Sequence, residues 1–135
     1  MTEILEKAVQ ALFANQPTIL NLTSETQQTE WNLAHHLANE IHKFFPKLDY
    51  DVDIIKVNLG RKRPDIVFHT RGSHKDNLLV VEVKRDGSAA DLKDDLEKIR
   101  EYWFSDRLRY RFGAVINLTD DKQYQIQVVS SDFSK

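Results

Sequence analysis

Arg63-Pro64-Asp65-Ile66-Val67-Phe68 and Leu78-Leu79-Val80-Val81-Glu82-Val83-Lys84, joined through the polar segment Arg71-Gly72-Ser73-His74-Lys75-Asp76, read as a β-hairpin over residues 65–70 and 77–84. Ile66, Phe68, Leu79, Val81 and Val83 point one way, and Val67, Leu78 and Val80 the other. Both faces are apolar, so the sheet is expected to be covered on both sides. Asp65, Glu82 and Lys84 break the pattern. A charge at a buried strand position is costly unless paired or bound to a cation, so these three define a candidate site. If the hairpin closes symmetrically about its turn, Asp65 stands opposite Glu82. Their β-carbons would then be about 4.5–5.5 Å apart, where like charges repel. Lys84, two residues on, faces the same side as Glu82, while Val83 faces the other and packs. The pair calls for a positive charge, supplied by Lys84 or by a hard divalent cation that two carboxylates can hold. A slip of one residue would undo this arrangement.

The flanking sequence supplies the rest of the fold. Residues 48–57 alternate, with Leu48, Tyr50, Val52 and Ile54 on one face and Asp49, Asp51 and Asp53 on the other, as in a half-buried strand. Downstream, Leu92, Leu96, Ile99 and Trp103 form one stripe of a helix over about residues 90–103. Two strands follow, 112–118 and 124–129. Upstream, Leu5, Ala8, Val9 and Leu12 mark a helix over residues 2–14 that stops at Gln16-Pro17. A polar connection over residues 16–28 offers Ser24, Gln27 and Thr29 as capping chemistry for a second helix, which Pro46 ends at about Phe45. On that helix the mean apolar direction lies about 20° from Glu30 and about 100° from Glu40. Glu30 is therefore the acidic residue expected on the buried face, near the amino-terminal end, where the helix dipole also favours a carboxylate.

The 135 residues suffice for one domain, 1–135, with a real core. Nineteen Lys and Arg against 21 Asp and Glu give a net charge of -2, so polyanion contacts must come from local patches rather than a generally basic surface. There is no cysteine, which excludes disulfides and thiolate zinc sites and fits a reducing, cytoplasmic compartment. No apolar run approaches about 18 residues, so no membrane association is expected. Without a secretory signal, Asn21-Leu22-Thr23 and Asn117-Leu118-Thr119 are chance matches to the glycosylation pattern.

Glu30 on a helix, Pro64-Asp65 opening one strand and Glu82-Val83-Lys84 ending the next resemble the motif of the PD-(D/E)XK nuclease superfamily. The resemblance covers residues 24–129 and implies an α/β, restriction-endonuclease-like core. Its order is α-β-β-β-α-β-β, a mixed sheet flanked by helices, here with an extra N-terminal helix. Asp91-Leu92-Lys93 also spells acidic-x-Lys but falls in a helix, where the two charges do not share a face as they do on a strand. Many relatives carry glutamine about a turn and a half before a tyrosine in the second core helix. This chain has Asp95 before Tyr102, so no role is transferred to Asp95.

The resemblance implies a magnesium- or manganese-dependent DNA endonuclease. Asp65, Glu82 and the Val83 carbonyl would ligate the metal, with Glu30 acting directly or through water, and Lys84 would stabilise the transition state. Arg61, Lys62, Arg63, Arg107, Arg109 and Arg111 are expected to flank the site and hold phosphates, against the plainer reading that such runs are solvated faces. His35, His36 and His42 project away from the apolar stripe and are expected to be surface residues, and Trp103 is expected in the core. Two alternatives stand beside the endonuclease. One is a nuclease-like module that has lost catalysis and serves in DNA binding or assembly. The other is a homodimeric junction resolvase, in which two small chains form one cleft.

Overall fold

The computed structural model describes residues 1–22, 29–52, 65–73, 75–119 and 122–134. The side chains of residues 21, 22 and 29–32 lie outside that description. The hairpin forms where its alternation predicts, as β2 (Ile66–His69) and β3 (Leu79–Arg85), and turns at Gly72, whose φ of 80° suits glycine. The register pairs Ile66 with Val81, Val67 with Val80 and Phe68 with Leu79. β1 (Asp49–Val52) pairs antiparallel with β2. On the other side β3 runs parallel to β4 (Phe112–Leu118), which pairs antiparallel with β5 (Tyr124–Ser130). The product is an α/β fold with a five-stranded mixed sheet in the order β1-β2-β3-β4-β5.

Helices α1 (Thr2–Asn15), α2 (Ile19–Leu22) and α3 (Thr29–His42) belong to one face. There Leu5, Leu12, Leu33, Leu37 and Ile41 join Ile66, Phe68, Val81, Val83 and Ile116 in one core. On the other face, α4 (Ala89–Lys98) continues directly into a π-helix (Ile99–Trp103). Val67, Val80, Leu92, Ile99, Trp103, Tyr110 and Val115 pack together there. The covering of both faces follows from the apolar runs of β2 and β3. Leu78 departs from its expected face by packing against the α1/α3 core, because it precedes the regular strand.

Two further elements differ from their expected form. α3 ends at His42 instead of about Phe45, and Phe44 is exposed rather than part of the buried stripe. Residues 53–57 of the expected first long strand lie outside the described residues, as does the capping segment at Ser24 and Gln27. The last turn of the second core helix widens, with Phe104 N–H donating to the Ile99 carbonyl at 3.2 Å.

Two features fix α4 on the sheet. Ser88 and Asp91 form a reciprocal capping box at its start: Asp91 N–H donates to Ser88 Oγ at 3.1 Å and Ser88 N–H to Asp91 Oδ2 at 3.2 Å. The Asp91-Leu92-Lys93 triplet thus owes its acid to helix initiation. At the other end, a Cβ on Gly113 would stand 2.3 Å from Ile99 Cγ2, so the π-helix can approach β4 only over glycine. Gly113→Ala is expected to destabilise the protein by about 1–3 kcal/mol through overpacking. Thermal denaturation beside wild type measures this, and an unchanged Tm would show that Ile99 can yield.

Candidate functional site

The observed register continues one step beyond Ile66 and Val81 to set Asp65 across from Glu82. Asp65 Oδ2 accepts the Val83 N–H at 2.7 Å, which ties the start of β2 to β3 at this level. Within a strand, a residue's N–H and C=O project to the same edge, so the Val83 carbonyl also faces the Asp65 side. Glu82 belongs with Val80 on the α4 face of the sheet and is 3% exposed. Its Oε1 is buried with no hydrogen-bond partner among the described residues.

Burial, and then the neighbouring Asp65 charge, push the Glu82 carboxyl up to about 9. Two unit charges about 5 Å apart repel by about 3 kcal/mol at an effective dielectric of 20. That is worth about two pKa units. It falls short of the full rise from 4.5, which agrees with burial as the larger cause. An extra proton shared by the pair, or a positive charge brought beside it, offsets this repulsion. A buried carboxylate oxygen with no partner, facing a second carboxylate, fits the donor set of a hard divalent ion.

Asp95 and the cations beside it complete the cluster. Asp95 sits three residues after Leu92 and four before Ile99, on the sheet-facing stripe of α4, and is 5% exposed. Lys84 Nζ stands 3.4 Å from Asp95 Oδ2, and Lys98 Nζ 3.6 Å from Asp95 Oδ1. No role was expected of Asp95, although an acid at helical spacing between the buried Leu92 and Ile99 is the signal that marks it. Asn117 secures the loop after β3. Its Oδ1 accepts Gly87 N–H at 2.9 Å and its Nδ2 donates to Gly87 O at 3.2 Å, one position across from Lys84 in the parallel register.

Neither a family model nor a curated protein matches this chain. Among solved structures, one titled "Crystal structure of SSO0001" is similar at 15% identity and a TM-score of 0.41, with 97% of this chain and 77% of that chain covered. At that score the likeness carries no argument.

Other expected residues fall elsewhere. Glu30 is one residue into α3, and its side chain lies outside the described residues. Among the described residues, no three His, Asp or Glu side chains group so as to hold a metal ion. Glu40 is buried after all, 6% exposed, accepting from Asn15 Nδ2 at 3.0 Å and from Lys43. The projection missed it because α3 is covered twice, by the sheet and by α1, and Asn15 closes the second seam. His42 is half-buried, with Nε2 2.8 Å from the Leu48 carbonyl, and is no free surface histidine. Trp103 is fully buried in the core as expected.

Arg61, Lys62 and Arg63 lie outside the described residues. Arg107, Arg109 and Arg111 are all exposed, alternating with buried Leu108 and Tyr110, but they lie away from the carboxylate pair. Arg111 N–H donates to Asn77 O, beside the start of β3. Glu82 pairs with Val115, four residues beyond Arg111, about 13 Å away at 3.3 Å per residue. The cause is the parallel crossover: the chain leaving the π-helix returns to the end of the sheet where β3 began. Arg109 instead stacks on Phe133, 4.7 Å from the ring centre.

Proposed function

We propose that this protein is a magnesium- or manganese-dependent nuclease of PD-(D/E)XK type that hydrolyses phosphodiester bonds of DNA. The observation that carries the reading is the pairing of Asp65 with Glu82, two carboxylates set face to face on a buried hairpin with Lys84 on the same side. The element order from α3 through β1, β2, β3 and α4 to β4, with β3 and β4 parallel, supports a restriction-endonuclease-like topology.

In this reading Asp65, Glu82 and the Val83 carbonyl hold the cation, and Glu30 contributes from α3. When bound, the cation lowers the pKa of water and offsets charge on the scissile phosphate. Asp65 is oriented by the Val83 N–H, which fixes the carboxylate before substrate arrives. Glu82 must give up its proton to serve as a ligand. The Lys84 ammonium, on the rim of the same face, steadies negative charge that develops on the phosphoryl oxygens.

The direct test incubates the purified protein with plasmid, single-stranded and branched DNA in magnesium or manganese, beside Asp65→Asn. The wild type is expected to nick or cut and Asp65→Asn to be inactive. Equal behaviour of the two would sink the proposal. One observation favours a second reading, a nuclease-like binding or assembly module without catalysis: the Lys84 ammonium is engaged by Asp95. Calorimetry separates the two, because a module of that kind would take up no manganese at micromolar to millimolar levels.

A further inference from the structure

We propose that Lys98 is a second cationic arm of this site, held beside Lys84 by the buried Asp95 carboxylate, and that it binds a phosphate of the DNA backbone. The inference rests on the nuclease reading and deepens it. Asp95 grips two ammoniums that arrive from different elements, Lys84 from β3 and Lys98 from the last turn of α4, one on each carboxylate oxygen. Asp95 Oδ2 is buried without a hydrogen-bond partner among the described residues, although the Lys84 ammonium stands 3.4 Å away. A carboxylate placed on an apolar stripe for stability alone is a poor choice, since an apolar side chain of similar volume serves as well or better. Its position is instead suited to holding two cations at a fixed place.

The direction of the pair points to a polyanion. Lys84 and Lys98 side chains are 31% and 36% exposed, whereas the Glu82 and Asp95 carboxylates behind them are buried. The acids form the floor and the ammoniums the rim. Lys98 lies on the flank of α4 nearer the carboxylate pair, and its charge acts on Glu82, opposing the rise that burial and Asp65 cause. Lys93, Glu97 and Arg100 line the groove on the opposite flank with Gln125 and Gln127. A phosphodiester approaching the carboxylate pair from solvent meets Lys84 and Lys98 first. Lysine binds phosphate as a point charge with rotatable donors and needs no fixed fork geometry. Asp95 in this scheme is a positioning residue that acts through both lysines.

The test measures anisotropy of a fluorescein-labelled DNA duplex with the full chain in EDTA and in calcium, from about 50 to 200 mM salt. Lys98→Ala is expected to weaken binding about fivefold and to reduce the salt slope by about 1, the mark of one lost phosphate contact. Lys98→Arg is expected to restore both, and Lys98→Gln replaces alanine if the latter fails to fold by circular dichroism. In cleavage assays Asp95→Asn is expected to lower kcat more than it raises KM. Wild-type affinity and slope in Lys98→Ala would overturn this inference while leaving the nuclease reading intact. Failure of the wild type to bind or cut DNA would overturn both.

Discussion

Lys84→Ala is expected to slow single-turnover DNA cleavage by about 10²- to 10³-fold, the usual cost of removing one group that stabilises transition-state charge. Cation binding should persist, because Asp65, Glu82 and the Val83 carbonyl are untouched. The position of Lys84 makes this a sharp test. It is two residues from Glu82 on the same strand face, and its ammonium lies near the buried Asp95. Truncation therefore leaves Asp95 with Lys98, and a stability loss of about 1–3 kcal/mol is expected alongside the kinetic effect. The two effects separate. In a structural ion cluster that performs no chemistry, any loss of rate would follow the unfolded fraction alone. Cleavage measured well below the Tm of both proteins decides the matter. A rate within about twofold of wild type, with manganese still bound, would remove Lys84 from the chemistry.

The hairpin was legible because each step depended on local rules. Alternating apolar residues fixed the two faces, the polar 71–76 segment fixed the turn, and a symmetric closure put Asp65 across from Glu82, as the pairing of Ile66 with Val81 extends to show. The stripe Leu92, Ile99 and Trp103 likewise foretold the helix over the second face. Its π-helical end was not foretold; there Ile99 packs closely over Gly113, a contact between segments on either side of the crossover.

What stayed hidden depends on contacts between distant segments. Glu40 looked exposed from α3 alone and is buried because α1 lays Asn15 against it. Arg107, Arg109 and Arg111 looked like neighbours of the site because they follow the helix that covers it, but a parallel crossover carries the chain to the far end of the sheet. Asp51, on β1, shows the same effect. Read as the outer face of a strand, it is instead clasped by His69 at 2.7 Å and by Arg71 at 2.9 Å. Burial works against its charge, yet hydrogen bonds from Arg71 and His69 hold its carboxyl below the ordinary carboxylate range. The contrast with Glu82 shows what counts. Both are acids on the same face of the sheet, but Asp51 meets the Arg71 guanidinium and the His69 ring, whereas Glu82 meets a second carboxylate.

That contrast fixes the sign of the second large effect. With the Glu82 carboxyl raised to about 9 from 4.5, the folded metal-free protein binds more protons than the unfolded chain between those pH values. Stability falls wherever the native state binds the extra proton, so it is fully present below about 4.5 and is lost as pH rises through about 9. The drop should be on the order of a few kcal/mol, shared by the Asp65–Glu82 pair as a unit. Glu82→Gln keeps the side chain's shape without the ionisation and should flatten the profile over that window. A cation competes with the same proton. Manganese affinity is therefore expected to rise with pH across the window, and uptake at neutral pH should release about one proton. Calorimetry in buffers of different ionisation enthalpy counts that proton. Chelated wild-type protein whose stability is level from about pH 5 to 9, or metal uptake with no proton release at neutral pH, would show that Glu82 is already ionised. The pair would then already be balanced by the protein's own cations, and the case for a bound metal at this hairpin would be lost.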